Sequence, residues 1–227
     1  MPKNDEKMST NYSLNFDIRK RSKKNIKYIV YHYTGMKNDK TAIKRLTNFN
    51  SKVSCHYYID RKGSLTCMVP DLYIAWHAGK SKWKNDKLLN KTSIGIEISN
   101  PGHENGYESF KKKQLKCLIK ITKLLIKKYS IKKQNILGHS DIAPLRKKDP
   151  GEKFPWKFIA KNKIGLWHKI NLRKCKILRG KYPVDIRLRC ACQLERLLEI
   201  NQRQFLNLRK CLHNLVDYLQ KPCRQML

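Results

Sequence analysis

Ile26-Lys27-Tyr28-Ile29-Val30-Tyr31-His32 gathers β-branched and aromatic side chains into one short run. Such residues pack well on a pleated surface, so the run reads as a buried strand. Thr92-Ser93-Ile94-Gly95-Ile96-Glu97-Ile98-Ser99 reads as another strand, ended by Asn100-Pro101-Gly102. Between them, Thr41 to Phe49 has helical spacing. Cys55 to Val69 predicts two strands, His56–Ile59 and Ser64–Val69, joined by a turn at Asp60-Arg61-Lys62-Gly63. From Phe110 to Tyr129, Leu115, Leu118, Thr122, Leu125 and Tyr129 recur at helical spacing beneath a lysine-rich outer face, which predicts an amphipathic helix. Asn135 to Gly138 is a brief strand that leads into a Pro- and Gly-rich loop over 143–155. Strands interleaved with helices imply an α/β chain with a central mixed β-sheet flanked by helices.

Composition divides the chain further. Residues 1–25 read as a flexible basic leader, and 26–167 as the main domain. After about Gly165, five of the eight cysteines and most of the arginines appear. Phe205, Leu208, Leu212, Leu215 and Leu219 step by three and four, so 168–227 reads as a small C-terminal helical appendage. No run approaches the roughly 20 apolar residues of a membrane-spanning helix. Met1 to Asn15 shows neither an apolar signal core nor a lipid-anchor cysteine, which favours the cytoplasm and leaves a periplasmic or secreted protein open. In that setting the cysteines read as free thiols, and Cys190-Ala191-Cys192 is too tight to chelate one zinc.

The net charge of +34 invites an anionic partner. The lysines are dispersed and far outnumber arginines up to His168, so no cluster of base-reading arginines stands out. A nucleic-acid partner rests on charge alone and is not expected. A carboxylate-rich polymer satisfies the same charge.

Three residues suggest a metal site. His32 ends the first strand, His139 follows another strand, and Asp149 lies in the Pro/Gly-rich loop. Two imidazoles and a carboxylate are a catalytic zinc set, because three protein ligands leave a fourth position for water. Their spacing is not a self-contained zinc motif, and a structural role for each stays open at this level.

The surrounding text narrows the choice. His32-Tyr33-Thr34, Ser54-Cys55-His56-Tyr57-Tyr58-Ile59, Trp76-His77-Ala78-Gly79 and Ser93-Ile94-Gly95-Ile96-Glu97-Ile98 occur in that order. Gly138-His139-Ser140-Asp141-Ile142-Ala143-Pro144, Arg146-Lys147-Lys148-Asp149-Pro150-Gly151 and Phe154-Pro155-Trp156 follow them. The series resembles the type-2 N-acetylmuramoyl-L-alanine amidases, which share a fold with peptidoglycan recognition proteins. It is most similar to the bacterial branch that includes the AmpD and AmiD amidases.

The resemblance implies a zinc amidase over 26–167, with one zinc per chain on His32, His139 and Asp149. It implies that Glu97 handles the nucleophilic water and that Lys147 stabilises the oxyanion. The bond cut would join the lactyl group of N-acetylmuramic acid, or its 1,6-anhydro form, to L-alanine in peptidoglycan fragments. His77, His56, Tyr33 and Trp76 are candidate substrate contacts, and Trp83 is a further aromatic that could stack on a sugar. Plainer readings stand beside these: Glu97 as a solvent-facing carboxylate, Lys147 as one surface charge among many, His56 as a structural hydrogen-bonding residue, and the aromatics as packing. The alternative function is a recognition protein on the same fold that binds muropeptides without cleaving them. The appendage occupies the place of a peptidoglycan-binding-like module, which it would represent in degenerate form.

Overall fold

A computed structural model describes residues 8–167. In chain order its strands are β1 (Ser9–Thr10), β2 (Phe16–Asp17), β3 (Tyr28–Tyr33), β4 (Tyr57–Ile59), β5 (Leu65–Cys67), β6 (Ile74–Ala75), β7 (Lys82–Trp83), β8 (Asp86–Lys87), β9 (Ser93–Ile98) and β10 (Ile136–Gly138). The helices are α1 (Asp39–Thr47), α2 (Lys112–Tyr129), α3 (His139–Ile142) and α4 (Trp156–Lys161). Six strands form one mixed sheet in the order β1-β5-β4-β9-β3-β10, and β2-β6 and β7-β8 are separate pairs. The β4-β9-β3-β10 block is wholly parallel, whereas β4 and β5 form the expected antiparallel hairpin. Its turn places Gly63 at a φ of 88°, a left-handed conformation that glycine adopts freely.

Side chains alternate across the sheet, and this sorts the core from the site. On β3, Ile29 and Tyr31 face α2 and α4: Tyr31 shares a hydrogen bond of 2.8 Å with Thr122, and its ring stacks 5.7 Å from Trp156. On β9, Ile94, Ile96 and Ile98 are fully buried. Val30, His32, Gly95 and Glu97 take the opposite parity. Burial of Leu118 and Leu125 drives α2 onto the sheet, each contributing roughly 1.5–3 kcal/mol over an exposed side chain. The buried stripe of α2 also includes Gln114, Cys117, Ile121 and Thr122, while Leu115 and Tyr129 lie half-buried at its margins.

On the other face, α1 starts where Asn38 accepts the Thr41 amide at 2.9 Å, an N-cap that satisfies an otherwise unpaired donor. Its Ala42 and Leu46 pack with Cys55, Tyr58 and Met68.

The expected flexible leader requires correction. Residues 9–25 are built into the domain: β1 pairs with β5, and β2 pairs with β6. Buried side chains fasten the rest. Ser13 donates to the Leu46 carbonyl at 2.6 Å, and Asn15 to the carbonyls of Asn48 and Val53 at 2.9 Å each. The Arg21 guanidinium donates to the carbonyls of Asp71, Asn90 and Ser93. Residues 8–166 belong to one compact unit. The appendage expected over 168–227 lies outside the described residues.

Candidate active site

The parallel strands end together, and their last residues form the site. In the register, His32 of β3 lies opposite Glu97 of β9, and Tyr31 lies opposite Gly138 of β10. The next residue after Gly138 is His139, which therefore emerges level with His32. Open parallel sheets place ligands beyond the carboxyl ends of their strands, and this row fits that rule. Asp149 returns from the loop after α3, where its carbonyl accepts the Ser140 amide at 2.8 Å.

The side chains of these residues converge. His32 Nδ1 lies 2.9 Å from His139 Nδ1 and 2.9 Å from Asp149 Oδ2, and His139 Nδ1 lies 3.0 Å from that same oxygen. All three residues are buried. Behind them, His32 Nε2 meets His77 Nδ1 at 3.0 Å, and His139 Nε2 meets the Ala78 carbonyl at 3.1 Å. Burial and the neighbouring His139 depress His32 to about 4, against the pull of Asp149. Burial alone would raise Asp149, but His139 and His32 outweigh it and hold the carboxyl far below the usual carboxylate range.

Glu97 has the opposite character. Burial, reinforced by the Asp149 charge, pushes it up to about 8, while Lys147 and Arg45 pull the other way. Its Oε2 is buried and has no hydrogen-bond partner among the described residues. A cleft of about 430 Å³ opens over this group and is lined in part by His32, Tyr33, Trp76, Glu97, Lys147 and Asp149. The volume suits a small-molecule ligand.

The remaining candidates divide. Tyr33 and Trp76 line the cleft; the Trp76 ring N–H donates to Asp17 at 2.7 Å, and the Tyr33 hydroxyl meets His103 Nδ1 at 2.8 Å. His77 borders the cleft, yet both its ring nitrogens are engaged inside the protein, by His32 and by Ser93. His56 is corrected as a substrate contact. It is fully buried, its Nδ1 accepts the Gly95 amide at 3.0 Å, and its Nε2 lies 3.1 Å from the Tyr73 carbonyl. Burial and Arg21 hold its ring at about 3. Trp83 is likewise buried, and it lies outside the cleft lining. Sequence reasoning missed Arg45, His103, Arg146 and Lys148, all of which line the cleft. Arg45 and His103 stand in none of the quoted motifs, and Arg146 and Lys148 are read only as motif text, with no role of their own.

Comparison with known proteins settles the family. The family model described as N-acetylmuramoyl-L-alanine amidase matches residues 22–152, more than half of the chain. The chain belongs to the N-acetylmuramoyl-L-alanine amidase family. This amidase-family chain is 39% identical over 154 residues to the amidase AmiD of Escherichia coli K12, covering 63% of the chain and 55% of AmiD. It is 37% identical over 109 residues to the 1,6-anhydro-N-acetylmuramyl-L-alanine amidase AmpD of Haemophilus influenzae, covering 48% of the chain and 57% of AmpD. The chain thus spans little more than half the length of these curated relatives.

Among solved structures, E. coli AmiD in complex with the substrate anhydro-N-acetylmuramic acid-L-Ala-D-gamma-Glu-L-Lys matches with a TM-score of 0.59 and 34% identity, over 74% of this chain and 69% of that one. AmpDH3 of Pseudomonas aeruginosa in complex with an anhydromuramic pentapeptide matches with a TM-score of 0.60 and 29% identity over the same shares. These matches agree with a mixed sheet flanked by helices.

Proposed function

We propose that this chain hydrolyses the amide bond between the lactyl group of N-acetylmuramic acid, or its 1,6-anhydro form, and L-alanine in peptidoglycan fragments. We further propose that one zinc ion, held by His32, His139 and Asp149, is its cofactor. The observation that carries the reading is the convergence of two imidazole nitrogens and a carboxylate oxygen within 3.0 Å of one another. Three such donors, buried with their lone pairs aimed at one point, need a proton or a cation among them. Nitrogen and oxygen donors in this number suit zinc and leave a position for water. Bound there, zinc supplies Lewis acidity toward a water and toward the scissile carbonyl.

The chain's own residues supply the rest. Glu97, in its ionised form, takes a proton from the attacking water and returns it to the departing L-alanine amine. The water oxygen bonds to the lactyl carbonyl carbon, the C–N bond breaks, and the products are a free lactyl carboxyl and a peptide amine. Lys147, which borders the same cleft, answers the negative charge that develops on the carbonyl oxygen. Tyr33 and Trp76 offer apolar faces to the sugar or peptide. The catalytic domain in this reading begins near Ser9 and ends near Trp167.

Mass spectrometry of a muropeptide digest, run with and without a chelator, tests the proposal. The expected products are a peptide-free muramic sugar and a peptide with L-alanine at its amino end, both lost on chelation. Cleavage at another bond would overturn it, and binding with no cleavage would overturn it in favour of a recognition protein on the same fold.

A further inference from the structure

We propose that His77 and Ser93 are positioning residues that fix which nitrogen of His32 carries its proton, so that Nδ1 is presented bare to the metal. The inference rests on the zinc reading above. A backbone carbonyl can only accept. The Leu89 carbonyl lies 2.5 Å from Ser93 Oγ, so the Ser93 hydroxyl proton points there. Ser93 Oγ is then left to accept from His77 Nε2, 3.2 Å away. A neutral imidazole has one N–H, so His77 Nδ1 is an acceptor. Among the described residues, no carboxylate is bonded to either His77 nitrogen to favour a charged ring. His77 Nδ1 therefore receives the proton of His32 Nε2 at 3.0 Å, and the lone pair of His32 falls on Nδ1, toward His139 and Asp149.

The surroundings are shaped for this relay. A Cβ at Gly95 would lie 2.4 Å from Cγ of His77 and 2.6 Å from two further ring atoms, so only glycine lets the ring rest on the strand. Ser93, Gly95 and Glu97 share one face of β9 by alternation. The first accepts the relay, the second makes room for it, and the third borders the cleft. The backbone beside His77 is clamped as well: the amides of His77 and Ala78 both donate to Asn90 Oδ1, at 3.1 and 2.7 Å. The Ala78 carbonyl then accepts from His139 Nε2 at 3.1 Å. One short segment thus orients both histidines, His32 through a side chain and His139 through a carbonyl. Outer partners of this kind set tautomer and ring orientation, and losing one typically weakens metal binding by roughly 10–100-fold.

Two readouts test the relay. The first is nitrogen-15 NMR of the histidine rings in zinc-free protein, which reports the tautomer of His32 directly. Wild type should carry the proton on Nε2, and a His32 protonated on Nδ1 would overturn the proposal whether or not any variant folds. The second is zinc affinity by competition with a chelator. His77→Leu should bind roughly 10–100-fold more weakly. His77→Asn, whose amide oxygen can replace the Nδ1 acceptor, should stay within a few-fold of wild type. Ser93→Ala should fall between them. A leucine variant with wild-type affinity, or leucine and asparagine variants equally weakened, would reduce His77 to packing. Wild type that takes up no zinc would contradict the metal assignment, while the tautomer still judges the relay.

Discussion

His32 and His139 are 107 positions apart, yet their Nδ1 atoms lie 2.9 Å from each other. If these atoms and Asp149 hold the metal, His32→Ala and His139→Ala should each lose both zinc and activity; a variant that keeps its metal with full turnover removes that residue from the ligand set. Glu97→Gln should behave differently. It deletes the proton acceptor and spares the ligands, so zinc stays while turnover falls roughly 10²–10⁴-fold. A rate within a few-fold of wild type would exclude Glu97 from the chemistry. These residues were legible because strand ends and motif text named them singly. Their meeting was not legible, since it depends on the register that sets Tyr31 against Gly138 and His32 against Glu97. His77 shows the same gap. The sequence offered it as a candidate substrate contact, whereas its bond to His32 follows from tertiary packing alone.

Between elements, Asp71 binds several parts of the fold together. Its buried carboxylate accepts from Tyr57 at 2.6 Å, Lys128 at 2.8 Å and Tyr129 at 2.6 Å, joining β4 to the end of α2. Burial alone would raise its pKa, but the bonds from Lys128, Tyr129 and Tyr57 outweigh it and hold the carboxyl below its ordinary value. A carboxyl with a lowered folded-state pKa stabilises the protein above its unfolded value, and that stability is lost as pH falls through the folded value. Asp71→Asn should therefore lower the melting temperature at pH 7, with the gap to wild type closing below about pH 4. A gap that is constant over that range would contradict the charge-based account. The larger elements were readable, because β3, β9 and α2 bury enough apolar surface to leave a period in the sequence. The two-residue strands β1 and β2 leave none. What holds them is Ser13, Asn15 and Arg21 bonding to distant carbonyls, and a polar, basic stretch gives no sign of such partners.

Across the whole molecule, the charge of +34 acts on any anionic substrate at long range. Among the described residues, no helix is long and apolar enough to cross a membrane. Exposed charges are screened beyond about 8 Å at physiological ionic strength. Raising salt should therefore slow hydrolysis of the peptidoglycan polymer more steeply than that of a single muropeptide, because the polymer meets many more of the lysines. Equal salt dependence on both substrates would show that the charge does not steer encounter. In the proposed mechanism, three buried side chains at the ends of parallel strands hold one zinc on which amide cleavage depends. Zinc titrated into chelator-stripped protein, with muropeptide cleavage followed by mass spectrometry, tests it most directly. Cleavage should be absent without metal and should rise to a plateau at one zinc per chain; full cleavage by the stripped protein would remove the metal from the reaction.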